Sequence, residues 1–308
     1  MQMNLSWLDD FLALAASGNF SRAAEERHMT QPAFSRRIRA LEEWLGTELF
    51  DRTGQPATLT PAGKWFHDEA VQLLSQVARL PGEARAVAGE HSASLRFAST
   101  HALSFTFLTG WLRGLKLQDE LGPITLVSDV LARCEAMLAE SKVQFVMCHA
   151  HEQASSKLHA QNFPWARVGT DQLIPLSAPD AEGRALHQLE RANAAAPLRF
   201  LGYSEESGLG RILREVNAAF FERVPVQQVF KAHLASALRT MALERNGMAW
   251  LPRTLVADDI KSGRLVEAAG PQWRIDLEIR LYRDRVPLGS SGEDFWAAVC
   301  AASRARIT

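Results

Sequence analysis

Apolar residues recur at helical spacing over residues 5–17, where Leu5, Leu8, Phe11, Leu12 and Ala15 share a face, and Gly18-Asn19 ends that helix. A shorter helix over about 21–27 follows, with Ala23 and Ala24 small enough for close packing. His28-Met29-Thr30 makes a turn. Thr30 is positioned to cap the next helix, whose first turn tolerates Pro32. That helix runs to about Leu45 and has two faces. Phe34, Ile38, Leu41 and Leu45 form an apolar stripe, whereas Gln31, Pro32, Ser35, Arg36 and Arg39 fall within an arc of roughly 140°. Such a helix packs one side on a domain and presents the other to a DNA groove.

Residues 48–60, ELFDRTGQPATLT, read as two short extended runs around Gly54-Gln55-Pro56, a small wing carrying Arg52. Thr60-Pro61 then opens a long helix. Its apolar positions are Phe66, Ala70, Leu73, Val77, Leu80, Ala84 and Val87, spaced alternately four and three apart. That is a heptad seam, and self-association is its simplest use. Pro81-Gly82 predicts a kink or break there.

Past a hinge at Gly89-Glu90-His91-Ser92 the texture changes. Strands are predicted at 94–99, 124–129, 143–149, 165–178, 198–203, 225–230, 247–252 and 274–283. Helices are predicted at 102–117, 131–141, 209–220, 233–245, 254–262 and 292–304. This alternation indicates a parallel α/β sheet.

Composition narrows the class. A chain of 308 residues exceeds what one core usually serves, and 47% hydrophobic content is ample for packed domains. Neither a transmembrane-length apolar run nor a signal-peptide progression is visible, so no membrane partner is expected. Three widely spaced cysteines, Cys134, Cys148 and Cys300, fit a reducing compartment and a cytoplasmic protein. The net charge is −1, and residues 1–60 hold six arginines against eight acidic residues. Any DNA binding must therefore rest on local placement of charge rather than on its sum.

The stretch NFSRAAEERHMTQPAFSRRIRALEEWLGTELFDRTGQPATLTPAG, ending at Gly63, closely resembles the LysR-type transcriptional regulators. Residues 247–266, GMAWLPRTLVADDIKSGRLV, resemble the family's second-lobe ending, and the string QPAFSRRIRALE is similar to a hypochlorite-responsive subgroup. The resemblance implies an all-α winged helix-turn-helix domain (1–60) and a dimerising linker helix (61–89). A two-lobed α/β effector domain like periplasmic binding proteins follows. Lobe I is placed at 92–161 plus 269–308, and lobe II at 162–268. It also implies homotetramers with antiparallel linker helices, double-stranded promoter DNA, a small-molecule effector and a contact with RNA polymerase.

For DNA, Gln31, Pro32, Ser35 and Arg36 match the family positions facing the major groove. Arg36 suits guanine, Gln31 suits adenine, and Pro32 suits a thymine methyl. Arg39, Arg52, Thr60, Ser21 and Arg22 are candidate backbone contacts, Thr30 caps the reading helix, and Arg37 serves phosphate or an intradomain pair.

In an α/β sheet, ligands sit beyond the carboxyl ends of strands. Those ends supply Ser99, Thr100, His101, Ser128, Asp129, Cys148, His149, Tyr203, Ser204, Ala232 and His233 as effector-site candidates, suited to a carboxylate or another small anion. Oxidation of Cys148 or Met248 is a rival switch. A metal site from Cys148, His149 and His151 is disfavoured, because neighbours on a strand face opposite ways. No GxSxG elbow, P-loop or HExxH is present, and GLGR (208–211) is no dinucleotide fingerprint. The expectation is a non-enzymatic regulator without cofactor or metal. A ligand-binding protein that does not touch DNA is the other alternative.

Overall fold

The computed structural model describes residues 3–54, 56–87, 94–115 and 122–305. The hinge expected at 89–92, Gln55 of the wing turn, and residues 116–117 of the helix expected to end there lie outside the described residues. The chain forms two compact units, residues 1–89 and 90–308.

The first unit opens with helices α1 (Ser6–Ser17), α2 (Phe20–Glu26) and α3 (Gln31–Leu45). α1 ends because Gly18 turns left-handed (φ 61°) and its amide closes on the Leu14 carbonyl. Asn19 caps α2, its side chain accepting from the Ser21 and Arg22 amides. Thr30 has the extended backbone of a cap, but its side chain makes no capping bond. Strands β1 (Phe50–Asp51) and β2 (Thr58–Leu59) pair antiparallel as the wing, and α4 (Pro61–Val87) follows. The Ala57 amide donates to the Gly18 carbonyl at 2.9 Å, tying the wing to the α1–α2 corner.

The apolar stripe of α3 behaves as its spacing requires: Phe34, Ile38 and Leu41 are fully buried and Leu45 partly so. They share one core with Leu8, Phe11, Leu14, Phe50, Phe66 and Ala70. Two expectations for α4 change. The first seam residues, Phe66 and Ala70, belong to this core, with Phe66 edge-on to Phe11 at 5.0 Å. Only Leu73, Val77 and Leu80 of the described seam stand exposed; the side chains of Ala84 and Val87 lie outside the described residues. The long helix is thus rooted in the core of the first unit rather than appended to it. The helix also continues past Pro81-Gly82 to Val87 instead of ending there. A proline removes one backbone donor, and the flanking turns keep theirs.

The second unit runs β3 (Leu95–Thr100), α5 (His101–Thr106), α6 (Leu108–Gly114), β4 (Ile124–Asp129), α7 (Leu131–Ala139), β5 (Phe145–Ala150), α8 (Lys157–Ala160) and β6 (Trp165–Ser177). It continues with β7 (Leu198–Tyr203), α9 (Gly208–Val216), α10 (Ala218–Arg223), β8 (Val226–Ala232), α11 (Ala235–Leu243), β9 (Ala249–Pro252), α12 (Arg253–Lys261), β10 (Val266–Glu267), β11 (Ile275–Arg283) and α13 (Ser290–Ala305). Two expected helices are each split in two, at Phe107 and at Asn217, where the backbone leaves helical geometry.

The sheet is mixed, not parallel throughout. Strands β3, β4 and β5 pair parallel, as do β7 and β8, but β11 lies antiparallel between β5 and β6. Strand β6 explains this: its first half pairs with β11, its second half with β9 and β10. Ala166 and Val168 pack in one lobe with Phe97, Phe145, Ile279, Leu281 and Phe295. Leu173, Ile174, Ile275 and Leu277 pack in the other with Leu201, Leu238, Trp250 and Val256. The chain therefore changes lobes inside β6 and β11, past the boundaries expected at 162 and 269. A long strand crosses between lobes without breaking its hydrogen-bond ladder, so no loop marks the crossing.

Candidate DNA-reading face and interlobe recess

Along α3, Gln31, Pro32, Arg36 and Arg39 are exposed and Ser35 is half-buried, with Gln31 Nε2 donating to Ser35 Oγ at 3.3 Å. Among the described residues, Arg36, Arg39 and Arg22 have no ion-pair partner in the chain. Ser21 and Thr30 are exposed, and the uncapped Thr30 hydroxyl sits at the start of α3. An N-terminus with free amides and a free hydroxyl is suited to a phosphate oxygen.

Three candidates are engaged elsewhere. Arg37 Nη1 donates to Asp10 Oδ2 at 3.1 Å, which selects the intradomain pair. Asp10 is wholly buried and also accepts from Arg27 Nε at 2.8 Å, so one carboxylate fastens α1 to α2 and α3. Arg52 pairs with the buried Glu42 and lies 5.5 Å over the Phe20 ring. Glu42 Oε1 also accepts from the Leu49 and Phe50 amides at 2.9 and 3.3 Å, so this cluster anchors the wing. Thr60 is likewise committed: its amide donates to Leu49 O, and its hydroxyl donates to Glu48 O and accepts from the Gly63 amide. Among the described residues of the unit, Arg22, Arg36, Arg39 and Lys64 carry the positive charge left without an ion pair, and two of them, Arg36 and Arg39, lie on the outer arc of α3.

In the second unit, Thr100, His101, Asp129, His149 and His233 line one recess of about 420 Å³, counting its open mouth. Sequence reasoning missed Leu131, Ser207, Gly208 and Ala235 in the same wall. The N-terminal ends of α7, α9 and α11 contribute to this lining. Ser207, followed by an apolar-periodic helix just past a strand, carried a readable N-cap signal, and its hydroxyl does accept from the Gly210 amide. Gly208 is required by close approach: a Cβ there would lie 2.6 Å from a Leu131 methyl across the recess.

His101 Nδ1 lies 2.9 Å from Ser128 Oγ, and its ring centroid is 6.0 Å from that of His233. Burial and then the charge of His233 hold the His101 pKa below the usual imidazole value, against the pull of Asp129. Thr100 Oγ1 is buried and has no hydrogen-bond partner among the described residues. Beneath the recess, His149 Nε2 meets Asp171 Oδ2 at 3.0 Å, their side chains only 3% and 1% exposed. Asp171 also accepts from the Thr254 hydroxyl (2.7 Å), the Thr254 amide (3.1 Å) and the Gln172 amide (2.8 Å). Strand β5 of one lobe and α12 of the other thus meet on one carboxylate of the crossing strand.

The remaining candidates do not line this recess. Ser99 is fully buried and bonds to the Thr100 carbonyl. Tyr203 donates to Trp250 O at 2.9 Å in the lobe II core, its pKa pushed up by burial. Ala232 accepts from the Ser204 amide, and the Ser204 hydroxyl is buried without a partner among the described residues. Met248 is fully buried in lobe II, where it bridges Phe200. Cys148 faces the lobe I core, where burial pushes its thiol pKa upward. Side chains alternate along a strand, so Ser99 and Cys148 turn away where their neighbours Thr100 and His149 line the recess.

A winged helix-turn-helix with an open reading face, on a chain whose second unit is a two-lobed α/β fold with a recess between its lobes, is the architecture of a DNA-binding regulator with an effector domain. Residues 5–64 match the family description "Bacterial regulatory helix-turn-helix protein, lysR family", and residues 88–302 match "LysR substrate binding domain". Over 293 residues the chain is 32% identical to the HTH-type transcriptional regulator YjiE of Escherichia coli strain K12, covering 94% of this chain and 92% of that protein. It is similar to full-length HypT of Salmonella typhimurium, a hypochlorite-specific LysR-type regulator, at 28% identity over 99% of each chain with a TM-score of 0.59. It is also similar to Vibrio fischeri DarR, solved in complex with DNA, at 26% identity over 97% of this chain and 99% of that one, TM-score 0.56. The chain belongs to the LysR family of transcriptional regulators.

Proposed function

We propose that this LysR-type regulator reads promoter DNA through Gln31, Pro32, Ser35, Arg36 and Arg39. A small carboxylate or other anion in the recess then modulates promoter binding or bending. The reading of α3 is supported by the exposure of this arc and by the lack of ion-pair partners for Arg36 and Arg39 among the described residues. Self-association through α4 is supported by the exposed Leu73, Val77 and Leu80. Assembly as a homotetramer multiplies a modest patch into useful affinity. Arg36→Ala is expected to reduce discrimination of a selected operator over random duplex by about 5- to 150-fold, the worth of one bidentate base contact. Folding should be unchanged, and competition gel shifts at fixed salt read the ratio. Undiminished discrimination would place the reading face elsewhere.

One observation carries the effector reading: the buried Thr100 hydroxyl, unpartnered among the described residues and set among the N-terminal ends of α7, α9 and α11 and the imidazoles of His101, His149 and His233. Such an orphan is costly unless a ligand or water completes it. An anion beside His101 favours its protonated form, so binding takes up a proton. Affinity for a small carboxylate should rise as pH falls from about 8 to 6, by at most about tenfold per unit. His101→Gln should flatten that slope, and Thr100→Val should weaken binding at every pH. Calorimetric titration of the full chain across pH measures both. The redox alternative loses support, since Met248 and Cys148 lie in cores rather than in this recess.

A further inference from the structure

A second cavity, about 650 Å³ with its open mouth, lies on the other side of His149 and Leu131, which line both. Its walls come from both lobes: the end of β5, the connection into α8 and β11 on one side, and Arg211 and Ile212 of α9 on the other. Strand β11 alternates cleanly, with Ile275, Leu277, Ile279 and Leu281 on one face and Asp276, Glu278, Arg280 and Tyr282 on the other. It is also central, flanked by β5 and β6, so Arg280 is a buried cation in the middle of a sheet. Burying a guanidinium there is expensive unless its donors are used.

Two arginines are held in place from behind. Arg280 Nε donates to Glu278 Oε2 at 2.7 Å, and its guanidinium lies 4.1 Å over the Trp165 ring with only 11% of the side chain exposed. Arg211 Nη2 donates to Oε1 of the buried Glu135 at 3.0 Å. A guanidinium has five N–H donors, so each retains several for something else. His151 adds another: its Nδ1 accepts from the Gln153 amide, which leaves the proton on Nε2. The serines of this wall are already engaged, Ser155 with Glu215 and Ser156 with the His159 amide. Glu152, which is exposed, is the one carboxylate among the lining residues.

We propose that this cavity is a second binding site, for a small molecule bearing a carboxylate or phosphate group held between Arg280 and Arg211. A ligand there bridges the lobes, and its shared wall with the first recess couples the two sites. The binding site stands without the effector reading; only the coupling leans on it. Fixed guanidiniums with spare donors form charge-assisted, bidentate bonds to oxyanions at little ordering cost.

The test titrates the full chain calorimetrically with inorganic phosphate and, separately, with malonate. Saturable binding is expected, weakened about tenfold or more by Arg211→Lys and by Arg280→Lys, which keep the charge facing Glu135 and Glu278 but lose the fork. His159→Ala, at an exposed lining position, should weaken it a few-fold without threatening the fold. Thr100→Val should leave the component of binding that the arginine variants weaken unchanged, whatever it removes at the effector recess, which separates the two sites. Tighter phosphate binding assigns a phosphate ester and tighter malonate binding a carboxylate; either supports the proposal. Absence of saturable binding to folded protein would overturn it, as would binding that Thr100→Val abolishes and the arginine variants leave intact.

Discussion

Glu42→Ala should destabilise the DNA-binding unit by about 2–4 kcal/mol and remove detectable operator binding. The carboxylate is buried and accepts from the Leu49 and Phe50 amides, both at buried residues, so its loss leaves two unsatisfied donors. Each such orphan costs about 1–3 kcal/mol. The Arg52 pair adds little beyond this, because that side chain is about a third exposed. The functional loss should exceed the stability loss, since the wing hangs from these bonds and Arg52 would swing free of Phe20. Glu43→Ala, at the exposed neighbouring position, is the control and should stay within about 0.5 kcal/mol of wild type. Urea unfolding and operator gel shifts of both variants decide the matter. Equal stability of the two would show that the buried carboxylate does not anchor the wing.

Asp171→Ala should cost the effector unit roughly 3 kcal/mol and uncouple its lobes. The side chain is almost wholly enclosed, and its removal strands the His149 ring and leaves the Thr254 hydroxyl, which accepts from Thr106, without an acceptor of its own. Burial alone would raise its pKa, but the hydrogen bond and charge of His149, the Thr254 hydroxyl and the Gln172 amide outweigh that and hold it below the usual carboxylate range. A carboxyl depressed in the folded state stabilises fully above its unfolded value of about 4. That contribution disappears as pH falls through the lower folded value. Wild type should therefore lose stability more steeply below pH ~4 than Asp171→Asn, which has no such group to titrate. Thermal unfolding between pH 3 and 7 compares them, and parallel curves would remove Asp171 from the acid response.

Both residues illustrate where legibility stopped. Glu42 sits at the rim of the apolar stripe of α3, beside Leu41 and Leu45, yet reads locally like its neighbour Glu43. What buries one and not the other is β1, which the sequence places nearby but not on that rim. Asp171 is a single charge within a strand. Nothing local shows that its partners are His149, 22 positions earlier, and Thr254, 83 positions later. The strand-end rule did gather Thr100, His101, Asp129, His149 and His233 into one recess, but it could not say which side of each strand end faces inward. Hence Ser99, Tyr203 and Met248 proved to be core.

The sequence by itself determined the two faces of α3, the wing, the start of the long helix at Thr60-Pro61 and the α/β alternation, because residue spacing and turn chemistry act over a few residues and need no distant partner. The tertiary structure alone decided which arginines are free to meet DNA. Arg36 and Arg37 are neighbours, but Asp10, 27 positions before Arg37, captures one and leaves the other. A buried carboxylate must be paired, and only packing shows which cations come within reach of it.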